Sequence, residues 1–401
     1  MRILFLSTWF PYPPDNGSKL RAHYLIRSLA QTHEVTVIAF QPENALDKTL
    51  TRMRGPTDTP VWGVPEDPFR YVDLPQVVKY LSPIPLAAWP SAYMQRAVGS
   101  VGRSTHWDAV VAFETPVARY AFIPDSTARV FDIDNSLSFI GKERLSGQKG
   151  ILARCRARIS LYKALRYESR LARQFQACTV VSPLEAGWVR SMVRGTSCRV
   201  EVNSNGVDCT HNQPGVAQPQ ANALVYNGAL TYSANYDAMR WFLAEIYPRI
   251  RAELPAVSLT ITGSTHGVNL AGLALDGTVR LTGLVDDVRL PVAGAAVCIA
   301  PIRQGAGTRL KILEAMALGT PVVATSKGAE GLEATHGRDI LIADEPADLA
   351  NQVVHLLRDA AMRDYLSRNA RSLVEERYDW QAIGQRFVDL VEAVTLERRS
   401  C

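Results

Sequence analysis

Short apolar runs typical of buried β-strands alternate with amphipathic helical segments along almost the whole 401-residue chain. The strand-like runs of the first half are RILFLST, HEVTVIAF, WDAVVAF, ARVFDID and ACTVVS, and those of the second half are ALVYNG, VSLTITG, VRLTG, AVCIAPI and PVVAT. This alternation favours parallel sheets, because neighbouring parallel strands need a crossover helix between them. We therefore predict an α/β protein with two doubly wound parallel sheets, one in each half.

The two halves of the chain differ in net charge. Residues 1–205 hold 26 Lys and Arg against 17 Asp and Glu, whereas residues 206–401 hold 18 against 22. The polar segment NQPGVAQPQAN at 212–222 is the natural connection between the two sheets. We predict a Rossmann-like domain over 1–205, a second one over 206–378, and a final helix over 379–401 that packs back towards the first. Opposite signs of charge indicate that the domains face different partners.

The composition disfavours several classes of protein. No apolar run reaches the roughly 18 residues of a membrane-spanning helix. The apolar start MRILFLSTWF lacks the small-residue cleavage site of a signal peptide and fits a buried first strand better. The six cysteines form no C-x-x-C pair, and the seven histidines show no ligand spacing. We therefore expect no metal site, no cofactor, no nucleic-acid partner and a reducing cytoplasm.

The stretch QGAGTRLKILEAMALGTPVVAT at 304–325 combines tight-turn residues with a short helix and a strand. Gly305 and Gly307 precede Thr308, which we expect to cap a helix over 308–318. Free N–H groups at a helix N-terminus, approached through glycines, form an anion site. Positive charge around this site, which favours a diphosphate, comes from Arg303, Arg309 and Lys311.

Glu314 lies about 9 Å further along this helix than Thr308, at 1.5 Å per residue. A carboxylate at that distance would repel phosphate but can accept two hydrogen bonds from a vicinal diol. Phosphate at the helix N-terminus and a ribose further along predict a nucleoside diphosphate ligand. The simpler interpretation is an i,i+3 surface ion pair between Lys311 and Glu314, and these residues alone leave it open.

Several motifs resemble the group 1 glycosyltransferases, the retaining family 4 with the GT-B architecture. GAGTRLKILEAMALGTPVVAT followed by GAEGL resembles the nucleotide-sugar signature of that family. NGVD, YNGALTYSANYDAMRWF and LTGLVDDV resemble other parts of its C-terminal domain, and NGSKLRAHYLIRSLAQTHEVTVI resembles its N-terminal glycine loop and first helix. FDIDNS together with GAGTRLKILEA resembles the subgroup linked to exopolysaccharide gene clusters.

The resemblance implies two Rossmann-like domains facing a cleft, with a nucleotide sugar on the second and a glycan or lipid-linked glycan acceptor on the first. Glu314 would take the ribose hydroxyls, and Val285 would present backbone groups to the base. The residues implied beside the phosphates and the sugar are Gly17, Gly307, Thr308, Arg309, Gly328 and Glu330.

The sequence departs from the family pattern at two places. Many members have a pair of acidic residues eight positions apart, whose first glutamate touches the donor sugar, but position 306 is alanine here. Many members also carry an Arg and a Lys after the G-x-L turn, and NGALTYSANYDA has neither. The charge of a leaving diphosphate would then fall to Arg303, Arg309 and Lys311, without a metal ion.

Two acidic residues follow strands of the first half. Glu114 ends WDAVVAFE, and Asp134 with Asn135 ends RVFDIDN. Ligand groups usually sit at the carboxyl ends of parallel strands, so both carboxylates are candidate catalytic or acceptor-binding groups. The alternative is that Asp132 and Asp134 cap a helix or a turn. The family often has His-Asp where this chain has Asp134-Asn135.

A long helix predicted over roughly 151–175 carries a stripe of basic residues, opposed by little more than Glu168. We consider two interpretations, a solvated face and a surface that docks on an anionic membrane presenting a lipid-linked acceptor. The residues of this basic stripe are Arg156, Lys163, Arg166, Arg170 and Arg173.

Three functional classes are consistent with these motifs. A cytoplasmic glycosyltransferase of polysaccharide biosynthesis, peripheral on the membrane, is the leading hypothesis. A sugar-nucleotide epimerase of the same architecture would form a new nucleotide sugar without an acceptor. A non-catalytic subunit would bind the nucleotide sugar and release no nucleotide. A dinucleotide oxidoreductase is disfavoured, because STWFPYPPDNG rather than G-x-G-x-x-G follows the first strand.

Overall fold

The structure, a computed structural model, divides into two compact units. The first unit comprises Met1–Ser204 together with Ile383–Cys401, and the second comprises Asn205–Ala382. The residues that the structure describes are 1–41, 51–54, 58–69, 82–103, 105–123, 127–148, 150–305 and 309–400.

The first unit contains a sheet of eight strands in the order β3-β4-β2-β1-β5-β6-β7-β8. β3 runs antiparallel to β4, and the other neighbours are parallel. The chain therefore reverses its direction of strand addition between β1 and β5, where doubly wound sheets bind ligands. The strands are β1 (Arg2–Ser7), β2 (Glu34–Gln41), β3 (Thr51–Arg54), β4 (Pro60–Pro65), β5 (Ala109–Phe113), β6 (Ala128–Ile133), β7 (Ala177–Val180) and β8 (Arg199–Val202).

Helices cover both faces of this sheet. Leu4 and Leu6 of β1 belong to the core on one face, while Ile3 and Phe5 belong to the core on the other. A strand buried on both faces has apolar residues at consecutive positions, which is why RILFLS is continuous rather than alternating. The helices are α1 (Gly17–Ala30), α2 (Ala92–Arg103), α3 (Thr115–Ala118), α4 (Leu137–Ser146), α5 (Ile151–Ala172) and α6 (Pro183–Met192), with a 3-10 turn at Leu86–Ala88.

The second unit contains a parallel sheet of six strands in the order β11-β10-β9-β12-β13-β14. Its reversal point lies between β9 and β12. The segment 212–222, expected to connect the two sheets, lies inside this unit, and its last residues begin β9. The strands are β9 (Gln220–Asn227), β10 (Ser258–Thr262), β11 (Val279–Gly283), β12 (Ala295–Ala300), β13 (Val322–Ala324) and β14 (Leu341–Ile342).

The long helix expected after β9 is interrupted by a π-helical turn at Phe242–Ile246. Pro248 has no N–H to donate to the carbonyl of Ala244, so regular α-helical bonding cannot continue through this point. The helices of the second unit are α7 (Ser233–Trp241), α8 (Tyr247–Glu253), α9 (Arg289–Ala293), α10 (Leu310–Ala317), α11 (Ser326–Ala329), α12 (Pro346–Arg358) and α13 (Ala360–Arg377), with a 3-10 turn at Leu270–Gly272.

The last helix, α14 (Trp380–Ser400), begins in the second unit and continues in the first from Ile383 onward. Phe387, Val391 and Val394 are buried in the core that contains Ile3 of β1. Their spacing of four and three residues places them on one face of the helix.

Candidate functional site

The carboxyl end of β9 contacts the helix that follows β12, at the reversal point of the second sheet. Asn227, the last residue of β9, donates from Nδ2 to Oε2 of Glu314 on α10 at 2.9 Å. Burial raises the pKa of the Glu314 carboxyl to about 7, although its surface is still partly open to solvent. Glu314 therefore lies where open α/β sheets bind ligands.

Lys311 lies one turn earlier on α10 and has different partners from Glu314. Its Nζ donates to the hydroxyl of Tyr226 at 2.8 Å and to Oδ1 of Asn235 at 3.0 Å. The ammonium also lies 4.0 Å from the centre of the Tyr226 ring. Burial, and to a smaller extent the charge of Arg309, lower the pKa of Lys311 to about 7. Lys311 and Glu314 are thus held by β9 and α7 and are not a solvent-exposed surface pair.

Two glycines at this site occupy positions that a larger residue would not fit. A Cβ on Gly228 would lie 2.5 Å from Nζ of Lys311, so only glycine leaves the lysine in place. Gly305 has a φ of +99°, a conformation that other residues rarely adopt. Gly305 therefore provides the tight turn expected before α10.

The N-terminus of α10 differs from the prediction. The helix begins at Leu310 with Arg309 at the capping position, rather than at Thr308, and no side chain caps it. Gly307 and Thr308 lie outside the described residues. Arg309 is buried, and its Nη2 donates to the carbonyl of Gly305 at 2.5 Å.

Arg303 is oriented towards an acidic partner. Its Nη2 and Nε donate to the carboxylate of Asp237 at 2.8 and 3.2 Å. Its guanidinium lies 4.9 Å from the centre of the Trp241 ring. Part of the charge of Arg303 is therefore already compensated by Asp237 of α7.

Three other residues expected in this site, Val285, Gly328 and Glu330, lie in loops and a short helix of the second unit. Val285, 37% exposed, follows β11 beside Leu284. Gly328 lies in α11, where a Cβ would meet the carbonyl oxygen of Ala300 at 2.5 Å. Glu330 forms an ion pair with Lys327. The close packing of Gly328 explains a glycine here without invoking a ligand.

In the first unit, polar side chains gather at the carboxyl edge of the sheet, beside its reversal point. Ser18 of α1 donates from Oγ to Oδ2 of Asp134 at 2.7 Å. Nδ2 of Asn135 lies 3.0 Å from the same oxygen and 3.3 Å from Oε1 of Glu114. The structure therefore brings the two predicted carboxylates, Glu114 and Asp134, into one cluster. Gly17, the first residue of α1, precedes Ser18.

Glu114 is strained and electrostatically perturbed. Its backbone φ of 71° lies in the left-handed region, which is a sparsely populated conformation for a glutamate. Burial and the charge of Asp134 raise the pKa of its carboxyl to about 8. Glu114 is therefore mainly protonated at neutral pH and can donate a hydrogen bond. Strained residues with shifted pKa values are concentrated at functional sites.

Beneath this cluster lies an ion pair that sequence reasoning missed. Arg21 and Asp132 are both fully buried, and their side chains are joined by bonds of 2.6 and 2.8 Å. Thr179 also donates to Asp132, and Arg21 donates to the carbonyl of Ser204 at 3.1 Å. Asp132 is therefore an internal counter-ion rather than a helix cap.

The alternative that Asp134 caps a helix is also not what the structure shows. Ser136 is the N-cap of α4 and accepts a hydrogen bond from the N–H of Phe139 at 3.2 Å. Glu168 accepts from the N–H groups of Leu137 and Ser138 at 2.7 and 3.0 Å. Glu168 is thus a buried partner of the α4 N-terminus, and it does not oppose the basic stripe at the surface.

Two further polar residues at this edge were missed because neither the single glutamate of PLEAGW nor the first asparagine of EVNSNG belongs to a spaced motif. Glu185 of α6 is buried, and burial together with the charge of Asp134 raises its pKa to about 8. Asn203 follows β8 and is also buried. One carboxylate oxygen of Glu185 and both amide atoms of Asn203 have no hydrogen-bond partner among the described residues. Within those residues, no group of three or more His, Cys, Asp and Glu is arranged to hold a metal ion.

Helix α5 carries the basic stripe and, in addition, exposed apolar side chains. Ile151, Leu152, Ile159 and Tyr162 are 82%, 76%, 57% and 61% exposed. A groove of about 500 Å³ is lined by Pro83, Arg158, Ile159, Tyr162, Lys163, Arg166 and Arg170.

The stripe itself is not uniform. Arg156, Arg166 and Arg170 are exposed, and Lys163 is half-buried. Arg173 is exposed as well, but its Nε donates to the carbonyl of Met192 at 2.8 Å, so it also serves the packing of α5 against α6. In the described part of the chain, no helix is both long enough and apolar enough to cross a membrane.

A family model matches most of the unit that contains Glu314. Residues 221–359 match the family model described as Glycosyl transferases group 1. These residues are therefore similar to the group 1 glycosyltransferases. The matched segment runs from the start of β9 to the start of α13, so it includes the Asn227, Lys311 and Glu314 arrangement.

Curated relatives match this chain over a similar length. An uncharacterized 44.6 kDa protein in the cps region of Klebsiella pneumoniae is 29% identical over 164 residues, 39% of this chain and 42% of that protein. A phosphatidyl-myo-inositol mannosyltransferase of Mycobacterium leprae is 33% identical over 159 residues, 38% of this chain and 42% of that protein. The matched region thus spans about two fifths of either relative.

Solved structures match this chain over nearly its whole length. Sucrose-phosphate synthase from Thermosynechococcus elongatus has a TM-score of 0.73 at 15% identity, covering 99% of both chains. The Anabaena protein HepE in complex with UDP and glucose has a TM-score of 0.68 at 17% identity, covering 98% of this chain and 100% of that one. The predicted fold of two Rossmann-like α/β domains of the GT-B type is confirmed.

Proposed function

We propose that this chain transfers a sugar from a nucleoside diphosphate sugar to a glycan or a lipid-linked glycan, with retention of configuration. The observation that carries the proposal is the placement of Lys311 and Glu314 on one helix, at the reversal point of the second sheet. A cation near the start of α10 and a carboxylate one turn later fit a diphosphate followed by a ribose diol.

The donor would be bound chiefly by α10 and the turn before it. Arg309 and Lys311 would compensate the diphosphate, Gly305 would shape the turn, and Arg303 would contribute if a phosphate competed with Asp237. Lys311 has a pKa lowered to about 7 by burial, so an adjacent phosphate would restore its full charge. Such fixed cations can stabilise a leaving diphosphate without a metal ion. The remaining donor contacts in this proposal come from Gly17, Val285, Gly307, Thr308, Gly328 and Glu330.

The acceptor would be bound by the first unit. Asp134, held by Ser18 and Asn135, would accept the hydrogen bond of an acceptor hydroxyl, while the protonated Glu114 would donate one. The names of the two curated relatives support a polysaccharide or lipid-linked setting, since one is encoded in a cps region and the other acts on phosphatidyl-myo-inositol. We propose exopolysaccharide biosynthesis on the cytoplasmic face of the membrane as that setting.

The function is tested by measuring nucleotide release from UDP-, GDP-, ADP- and dTDP-sugars, with and without an acceptor extract. A donor that stabilises the protein in thermal unfolding identifies the base, because a ligand at 100 times its Kd stabilises by about 2.7 kcal/mol. Acceptor-dependent release of nucleoside diphosphate is expected. A new nucleotide sugar formed without acceptor would indicate an epimerase, and binding without any release would indicate a non-catalytic subunit.

We further propose that α5 docks the first unit on an anionic membrane surface. Its exposed isoleucine, leucine and tyrosine side chains are interspersed with arginines, the composition of helices that lie in the membrane interface. Each basic residue near an anionic surface contributes about 1 kcal/mol of attraction. The basic residues attract α5 to the anionic surface, and the exposed apolar side chains insert into the interface. We expect stable binding to need both contributions.

Co-sedimentation with vesicles of anionic phospholipid is expected at low salt and should fall steeply at high salt. Replacing Arg156, Arg166 and Arg170 by Gln should reduce the bound fraction, and replacing Ile159 by Gln should reduce the salt-resistant part. The matched control replaces Arg249 and Arg280, which are exposed on the second unit, by Gln. Binding that is absent at low salt, or equal in all variants, would leave α5 as a solvated face.

A further inference from the structure

Two cysteines that are far apart in the sequence meet in the first unit. Sγ of Cys178 on β7 lies 3.6 Å from Sγ of Cys198, which precedes β8. The C-x-x-C criterion could not find this pair, because 20 residues separate the two positions. A disulfide requires a sulfur–sulfur distance of about 2.05 Å, so the side chains need to approach by only about 1.5 Å.

The two thiols differ in accessibility. Cys178 is fully buried, whereas Cys198 is partly exposed and is flanked by the exposed residues Ser197 and Arg199. The hydrogen bond between the two thiols lowers the pKa of Cys198 and raises that of Cys178. Cys198 is therefore the sulfur that an oxidant in solution reaches first, and Cys178 is the resolving partner behind it.

We propose that Cys178 and Cys198 are a site of reversible oxidation by hydroperoxides. The Cys198 thiolate attacks the peroxide oxygen, which gives a sulfenic acid and releases hydroxide. The Cys178 sulfur then attacks the Cys198 sulfur and displaces a second hydroxide, and its own proton is transferred to solvent. In total, two thiols and one hydrogen peroxide give one disulfide and two waters.

The disulfide would tie β7 to the start of β8 within the first unit. Thr179, the residue after Cys178, donates to Asp132, which holds Arg21 beneath the cluster of Glu114 and Asp134. The cross-link therefore fixes a strand that supports this cluster. The proposed oxidation of the two cysteines does not depend on the proposed sugar transfer.

The test oxidises the full chain with hydrogen peroxide and maps its tryptic peptides before and after dithiothreitol. Cleavage at arginine places Cys178 in residues 174–190 and Cys198 in residues 195–199. Two of the six thiols should be lost on oxidation, and the mass of the chain should fall by two hydrogen atoms. One cross-linked peptide should join these two segments. Dithiothreitol should restore both thiols. The melting temperature of the oxidised chain should rise, because the cross-link restricts the unfolded state.

Two variants make the result specific. Cys155→Ser, which removes the exposed cysteine of α5, should still form the disulfide. Cys198→Ser should leave Cys178 reduced under the same treatment. The proposal is overturned if wild-type Cys198 stops at sulfinic or sulfonic acid with Cys178 reduced, or if the cross-linked peptides involve Cys155 instead.

Discussion

Replacing Arg21 by Met is expected to lower the free energy of unfolding by about 3–5 kcal/mol, the usual effect of leaving a buried charge without its partner. Arg21 and Asp132 have no exposed surface, and Arg21 makes two bonds to that carboxylate. Methionine keeps most of the length of the arginine stem. The loss of stability therefore measures the effect of removing the charge rather than that of a cavity. The carboxylate of Asp132 would then keep the hydrogen bond from Thr179 but lose its buried counter-charge.

Urea unfolding monitored by circular dichroism measures this loss. Arg27→Met is the matched control, because Arg27 is exposed in the last turn of the same helix, and it should change stability by less than about 0.5 kcal/mol. The double variant Arg21→Met with Asp132→Leu should recover most of the loss, since apolar replacements of whole buried pairs are often neutral. A loss below about 1 kcal/mol for Arg21→Met alone would contradict the assigned role of this pair.

Asp134→Asn is expected to reduce acceptor-dependent transfer by about 10²–10⁴-fold, the range for a group that takes or orients a proton. The amide is close in shape to the carboxylate but cannot accept a proton from an acceptor hydroxyl. Donor binding should change little, because all the proposed donor residues except Gly17 belong to the second unit. A role in structure alone would instead lower stability and affect donor and acceptor kinetics together.

The control for this variant is Asp389→Asn, an exposed aspartate on α14 of the first unit. Nucleotide release with saturating donor and varied acceptor separates kcat from KM for the acceptor. Transfer within tenfold of wild type, with stability unchanged, would remove Asp134 from the catalytic group and leave it as a bridge between Ser18 and Asn135.

The doubly wound fold was predictable because the central strands are buried on both faces and so appear as continuous apolar runs. Two strands that were missed lie nearer the sheet edges: β8 is a short strand of alternating polarity, and β4 begins and ends at proline. The π-helical turn before Pro248 was missed because the apolar pattern continues smoothly through it.

The candidate sites were predictable only where one segment supplies the pattern. The 304–325 stretch indicated Lys311 and Glu314, but their partners Asn227 and Asn235 come from β9 and α7. Arg21 lies on the same face of α1 as Leu25 and Leu29, but its counter-ion comes from a strand more than a hundred residues away and so could not be predicted. Contacts between distant segments leave no local signal in one sequence.

The proposed donor site is tested most directly by calorimetric titration of wild type and Glu314→Gln. The ligand is the nucleoside diphosphate sugar that stabilises the protein most. If Glu314 binds the ribose diol, exchange of its carboxylate for an amide should lose about 1.5–3 kcal/mol, or about 10–150-fold in Kd. Glu376→Gln, an exposed glutamate of the same unit, should bind like wild type. A Kd for Glu314→Gln within twofold of wild type, in a variant that unfolds like wild type, would contradict the proposed donor site.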